Sequence, residues 1–151
     1  MAERAVILGD LTNPHEIQKL RDYLIELYGF AGLRPLFFMV RTTDATVTTL
    51  TTLPLEDSST YKIVADVVAR RTGGASGAAG DGASYRIIGT FRRVSAGSAT
   101  LIGSLTADHT AESQSGWDAT LTVSGDDVLV RVTGAAGNSL TWSCLVTLHR
   151  V

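Results

Sequence analysis

Trp117-Asp-Ala-Thr-Leu-Thr-Val-Ser-Gly-Asp-Asp-Val-Leu-Val-Arg-Val-Thr133 reads as two strands around one turn. Trp117, Ala119, Leu121 and Val123 fall on one parity of the first run, and Val128, Val130 and Val132 share one parity of the second. Thr, Asp and Arg stand between them, so one face is packed and the other wet. Gly125-Asp126 supplies the tight turn, which makes the pair a hairpin of a half-buried antiparallel sheet.

Similar runs extend through the chain. Strands are expected near Leu36 to Arg41, Thr46 to Thr52, Thr60 to Arg71, Ala83 to Val94, Thr100 to Thr106 and Leu140 to Arg150. In the Thr60 to Arg71 run, Tyr61, Ile63, Ala65, Val67 and Ala69 form the inner face. Lys62, Asp66 and Arg70 lie opposite, with Val64 and Val68 among them, so cover from another segment or subunit is expected there. About eight strands imply a mainly β fold, an antiparallel β-sandwich or jelly roll. With 151 residues, 44% of them hydrophobic, the chain encloses one ordinary core.

One helix is expected, at the amino end. Asn13-Pro14-His15-Glu16 caps a helix over 14–28, and Ile17, Leu20, Leu24, Leu27 and Tyr28 recur at helical spacing before Gly29. The expected organisation is therefore an amino-terminal arm over 1–45 and a β domain over 46–151. A lone amphipathic helix must lay its stripe on something, which makes Ile17, Leu20, Leu24, Leu27, Phe30 and Leu33 the candidate attachment residues.

The chemistry suggested by composition is sparse. Fifteen acidic residues against thirteen Lys and Arg, scattered along the chain, give no field for a phosphate backbone, so no nucleic-acid partner is expected. No run approaches the roughly 20 apolar residues of a membrane span, and Met1 to Asp10 does not read as a secretory signal. Cys144 is the sole cysteine, on an apolar parity that indicates burial. Gly73 to Gly82 carries no Gly-Lys-Ser or Gly-Lys-Thr and reads as a mobile hairpin loop rather than a phosphate cradle. His15, His109 and His149 lack metal-ligand spacing. His109, with Asp108 and Glu112 near it in an expected loop, is the one place for a surface metal or base, and a solvated loop histidine is the ordinary reading. Glu56-Asp57 and Asp126-Asp127 fall in expected turns, where acids satisfy nearby amides. Trp117 and Trp142 fall on core parities rather than on a carbohydrate platform. Neither a catalytic residue, a cofactor nor a metal is expected.

The blocks Leu50-Thr-Thr-Leu-Pro-Leu-Glu-Asp-Ser-Ser-Thr-Tyr61, Val67-Val-Ala-Arg-Arg-Thr72, Gly116-Trp-Asp-Ala-Thr-Leu-Thr-Val-Ser-Gly125 and Val130-Arg-Val-Thr-Gly-Ala-Ala136 resemble a β domain of tailed-bacteriophage structural proteins. The resemblance covers residues 48–150. It implies a virion component made in the host cytoplasm, a homotrimer, and scaffold roles for Tyr61, Trp117, Leu121, Val130 and Val132. The short segment before the module points to a capsid decoration protein that binds the major capsid protein or other virion proteins. The alternatives are a tail-fibre tip or receptor-binding module, reading a host surface through Gly73 to Gly82 or Ala107 to Ser115, and an envelope-sugar hydrolase.

Overall fold

A computed structural model describes residues 33–151. Eight strands follow one another: β1 Leu33–Thr42, β2 Val47–Pro54, β3 Ser59–Gly73, β4 Gly82–Arg93, β5 Ala99–Glu112, β6 Asp118–Ser124, β7 Asp127–Thr133 and β8 Ser139–Arg150. They form two antiparallel sheets, one of five strands in the order β1-β8-β3-β4-β5 and one of three in the order β2-β7-β6. The expected helix over 14–28 lies outside the described residues, as do Ile17, Leu20, Leu24, Leu27 and Phe30. Leu33 opens β1, opposite His149 on β8, and its side chain is likewise outside the description.

The stretch that decides the fold class is the β6–β7 hairpin, with Val123 opposite Val128 and Leu121 opposite Val130. β1 with β8 and β2 with β7 nest as the outer pairs of a rolled hairpin. The inner strands do not continue that nesting: β3, β4 and β5 follow one another as a meander. The result is a sandwich of five strands on three, in which the nested pairs β1–β8, β2–β7 and β4–β5 of a jelly roll are present but β3 pairs with β4 instead of β6. The cause is local, because the Gly73–Gly82 connection is a hairpin and returns β4 beside β3 instead of carrying it to the other sheet.

Between the sheets, Tyr61, Ile63, Ala65, Val67 and Ala69 of β3 are buried, as their parity requires, and so are Val128, Val130 and Val132 of β7. β2 departs from simple alternation. Its register shifts between Thr49 and Thr51, a bulge that turns Leu50 and Thr51 both inward. On β4 the inward residues are Ala83, Tyr85, Ile87 and Phe91, with Gly89 in the same row. A Cβ on Gly89 would stand 2.6 Å from the Phe91 ring and 2.8 Å from Leu105, so the glycine there makes room for an aromatic ring.

Trp142 on β8 is the centre of the core. Its ring stacks against Tyr85 and meets Trp117 edge-on, each at 6.4 Å between centroids. Its indole N–H donates to Thr42 Oγ1 at 2.9 Å, a bond fully enclosed between β1 and β8. Both tryptophans are core residues, as expected, and Cys144 is buried two positions on. Burial pushes the Cys144 thiol up to about 12, with the Asp66 charge adding to it, so this sulfur is not a nucleophile at neutral pH. Thr42→Val should cost about 1 to 2 kcal/mol in denaturant unfolding, because it leaves the buried Trp142 N–H unpaired without altering side-chain shape. An unchanged midpoint would show that the bond carries none of the core's stability.

Candidate functional site

Two ends of the sandwich carry the loops, and each is tied by a different polar device. At one end Arg93, at the last position of β4, donates through Nη1 to Leu55 O at 2.8 Å and through Nε to Gly97 O at 3.0 Å. Its Nη2 lies 3.0 Å from Asp57 and 2.9 Å from Asp126. Only 19% of this side chain is exposed, so one guanidinium ties together the β2–β3, β4–β5 and β6–β7 connections. The turn acids Glu56-Asp57 and Asp126-Asp127 are thereby accounted for in part as structural partners. Glu56, for its part, pairs with Arg150.

At the opposite end lies Gly73 to Gly82, which is far from the loose hairpin its composition suggests. Gly74 sits at φ 102°, and a Cβ there would strike the Gly137 carbonyl, so the chain approaches the β7–β8 connection as closely as backbone can. Ser76 N–H donates to Gly137 O at 2.9 Å. Arg71 reaches back from β3 to donate to Gly74 O and Ser76 O, both at 2.7 Å. Asp81 Oδ2 accepts from Ala78 N–H at 2.8 Å and from Gln114 Nε2 at 2.7 Å. Asn138, 1% exposed, donates from Nδ2 to Gln114 Oε1 at 3.4 Å. The expectation of mobility took into account the lack of side chains in the loop, and missed its distant partners: Ser113 for Gly82, Gln114 for Asp81 and Gly137 for Ser76.

Three connections therefore meet at this end: 73–82, 113–117 and 134–138. Gln114 and Asn138 were not singled out by sequence, because a polar residue in a turn gives no sign of which distant turn it will face. Beside the cluster, Val68, Gly82, Ser84, Ala111, Glu112 and Ser113 line a shallow open depression. The accessible groups are small hydroxyls, backbone amides and one carboxylate, a surface able to exchange hydrogen bonds with a polyhydroxyl or peptide ligand.

The Ala78 N–H, then the Gln114 amide and the Arg71 charge, hold the Asp81 carboxyl below the usual carboxylate range. Since the folded carboxyl binds its proton less tightly than the unfolded one, its contribution is fully present above about pH 4 and is lost as pH falls through the lower folded value. Asp81→Ala should speed exchange of the Ala78 amide several-fold at neutral pH and make that exchange insensitive to the same acid titration. Protection that survives the substitution would mean Asp81 is a bystander.

β5 differs from expectation. Its strand continues to Glu112, so much of the presumed loop Ala107 to Ser115 is extended sheet paired to β4. Both faces of Thr100 to Glu112 are largely in solvent, and a strand without a buried face leaves no alternation to read. His109 consequently lies on a sheet, with Nε2 2.9 Å from Ser84 Oγ. Its neighbours turn elsewhere: Asp108 to Arg86 at 3.6 Å and Glu112 to the Tyr85 hydroxyl at 2.8 Å. His149 is on β8, with β3 and β4 between it and β5. Among the described residues no three His, Cys, Asp or Glu side chains are grouped to hold a metal ion, and no helix is long and apolar enough to cross a membrane.

No protein-family model matches this sequence, and no curated protein matches it. Among solved structures, the Acinetobacter baumannii phage AM24 tailspike protein is similar at TM-score 0.48 and 10% identity, over 76% of this chain and 26% of its own. The tailspike of Acinetobacter phage vB_ApiP_P1 follows at 0.41 and 13%, over 99% and 25%. The tailspike gp49 of A. baumannii bacteriophage Fri1, a capsular polysaccharide depolymerase, is similar at 0.35 and 13%, over 82% and 21%. This chain thus spans about a quarter of the length of each.

Proposed function

We propose that the chain is a non-enzymatic receptor-binding module of a phage tail, with its glycine-rich loop end turned to the host surface. The observation that carries this reading is the loop end itself. Gly73 to Gly82 and the neighbourhood of Gln114, two segments distant in sequence, are joined through Asp81 and Asn138 into a single platform. Loops ordered before binding lose less entropy on engaging a ligand, and a rigid sandwich that presents loops at one end is a general solution to recognition. The block resemblance over 48–150 supplies the phage-virion context.

Binding follows from many polar contacts to a repeated surface ligand, with weak single sites strengthened by several copies on one particle. Buried area, rather than chemistry, is the working principle of this reading, and no group on the chain has to move a proton or form a bond.

The test is binding of the full chain to isolated host envelopes and, in parallel, to purified capsids. Saturable envelope binding, weakened at least about tenfold by Ala79→Arg or Ser115→Arg at the exposed loop positions, supports the proposal. Binding to capsids alone would replace it with a decoration role. Release of sugar fragments from the envelope would replace it with a hydrolase.

A further inference from the structure

The outer face of the five-stranded sheet gathers positive charge that is dispersed in the sequence. Arg41 on β1, Thr141 on β8, Arg70 on β3 and Gly82 on β4 form one row across the strands, and Met39, Ser143, Val68 and Ser84 form the next. Phe37, Leu145, Asp66 and Arg86 follow, and Lys62 stands between His149 and Thr90 farther along. Arg92, opposite Thr60, belongs to the same face. Its acids are Asp66 and Asp108, and both lie against Arg86, at 3.5 and 3.6 Å. Glu112, on the β5 edge, is turned to the Tyr85 hydroxyl. Arg41, Lys62, Arg70 and Arg92 are exposed, and among the described residues none has a carboxylate within ion-pair distance. A chain of formal net charge -2 thus presents one clearly positive face.

We infer that this face binds an acidic polysaccharide, which, on the receptor-binding reading, gives the envelope ligand its chemical class. The occupant follows from the spacing of the cations and from what lies between them. Arg41 and Arg70 are two strands apart, about 10 Å, and Lys62 lies farther down β3, about 26 Å from Arg70. Such wide spacing suits an extended polymer that carries an acid on some of its units. A nucleic-acid duplex, with one charge per about 1.7 Å, would meet too few cations and would lay phosphates on apolar side chains.

Between the cations stand Thr141, Ser143 and Ser84, hydroxyls that exchange hydrogen bonds with the hydroxyls of a sugar. Phe37, Met39, Val68 and Leu145 form an apolar block in the β1-β8-β3 half of the sheet, each well exposed and Phe37 most so, at 65%. The bare Phe37 ring offers its negative π face to the C–H side of a pyranose, a contact that a carboxylate polymer supplies and an inorganic anion does not. The face also runs into the loop end: Arg70 is opposite Gly82, and Val68 and Ser84 line the depression there. A polymer seated at the loop end therefore continues onto the sheet without leaving the surface.

The test is binding of the full chain to polygalacturonate, with neutral dextran and duplex DNA in parallel, over a salt series. The chain should bind polygalacturonate, release it as salt rises, and leave dextran unbound. Arg41→Ser combined with Arg70→Ser should weaken binding at least about tenfold, and Phe37→Ser alone at least about threefold. Thr49→Glu combined with Thr52→Glu lowers the net charge equally, on the other sheet, and should leave binding within about twofold of wild type. All five positions are exposed, so the thermal midpoints of the variants should stay near that of wild type. Absence of binding to polygalacturonate, equal binding to dextran, tighter binding to DNA, or a threonine pair as damaging as the arginine pair each overturns the inference. Envelope binding untouched by the arginine pair overturns it too and leaves the receptor reading standing. Polygalacturonate binding that depends on the arginine pair, with no binding to envelopes, sinks the receptor reading instead.

Discussion

Replacing Trp142 with alanine is expected to cost about 3 to 5 kcal/mol, the largest effect of any single side chain in the domain. The loss has three sources. The ring is fully buried and fills the space between Tyr85 and Trp117, each 6.4 Å away, so its removal opens a cavity that two other large rings border. The Thr42 hydroxyl loses the N–H that it accepts inside the core. Finally, β8 is hydrogen-bonded on both sides, to β1 and to β3, so its neighbours cannot collapse into the void without breaking ladders. Against a total stability of about 5 to 15 kcal/mol, such a loss removes most of the margin of an ordinary domain. Urea unfolding followed by far-ultraviolet circular dichroism measures it. Trp142→Phe keeps much of the volume and loses the donor, and should fall between wild type and alanine. A midpoint for Trp142→Ala within error of wild type would mean that the core is not built around this ring.

Arg93→Ala should cost about 2 to 3 kcal/mol, while the adjacent Arg92→Ala stays within about 0.5 kcal/mol. Both are arginines at the end of one strand, and their partners decide the difference. Arg92 is exposed, and among the described residues its guanidinium reaches Thr100 at 3.4 Å and no other side chain. Arg93 is largely enclosed and holds two carbonyls and two carboxylates from three connections. The ion pairs alone would contribute little, because Asp57 and Asp126 are more than half exposed and screened by water and salt. Most of the expected loss therefore comes from leaving Leu55 O and Gly97 O without their donor, and from two carboxylates no longer separated by a cation. Lysine should not rescue the variant, since one ammonium cannot serve four acceptors in these directions. Equal losses at Arg92 and Arg93, measured in the same denaturant series, would sink this account.

Both residues show how far the sequence could be read. Trp142 was legible as core because β8 is half-buried: one parity faces the other sheet, and period-two alternation reports that directly. Arg93 was not legible. Its role depends on Leu55, Gly97 and Asp126 arriving at one point, and nothing near Arg93 in sequence records that. The loop end shows the same division, since the glycines of 73–82 are visible as a turn but the stapling by Gln114 and Asn138 is not. β5 is the converse case: neither half buries a face, and only the first, with Thr100, Leu101, Ile102 and Leu105, carries the β-branched and apolar residues that mark a strand.

Taken alone, the amino-acid sequence determined the fold class, the number of strands, the inward residues of β3 and β7, and the burial of Trp117, Ala119, Leu121, Trp142 and Cys144, while Val123 at the end of β6 stands in solvent. Each of these is a consequence of local periodicity and turn chemistry, which act over a few residues. Tertiary structure alone decided which strands neighbour one another, and so the five-on-three division, the two polar staples at the ends and the apolar block of Phe37, Met39, Val68 and Leu145 on the outer face. Those features depend on residues brought together from widely separated strands by hydrogen-bonded pairing. The free energy of that pairing is shared over whole sheets rather than written in any one segment.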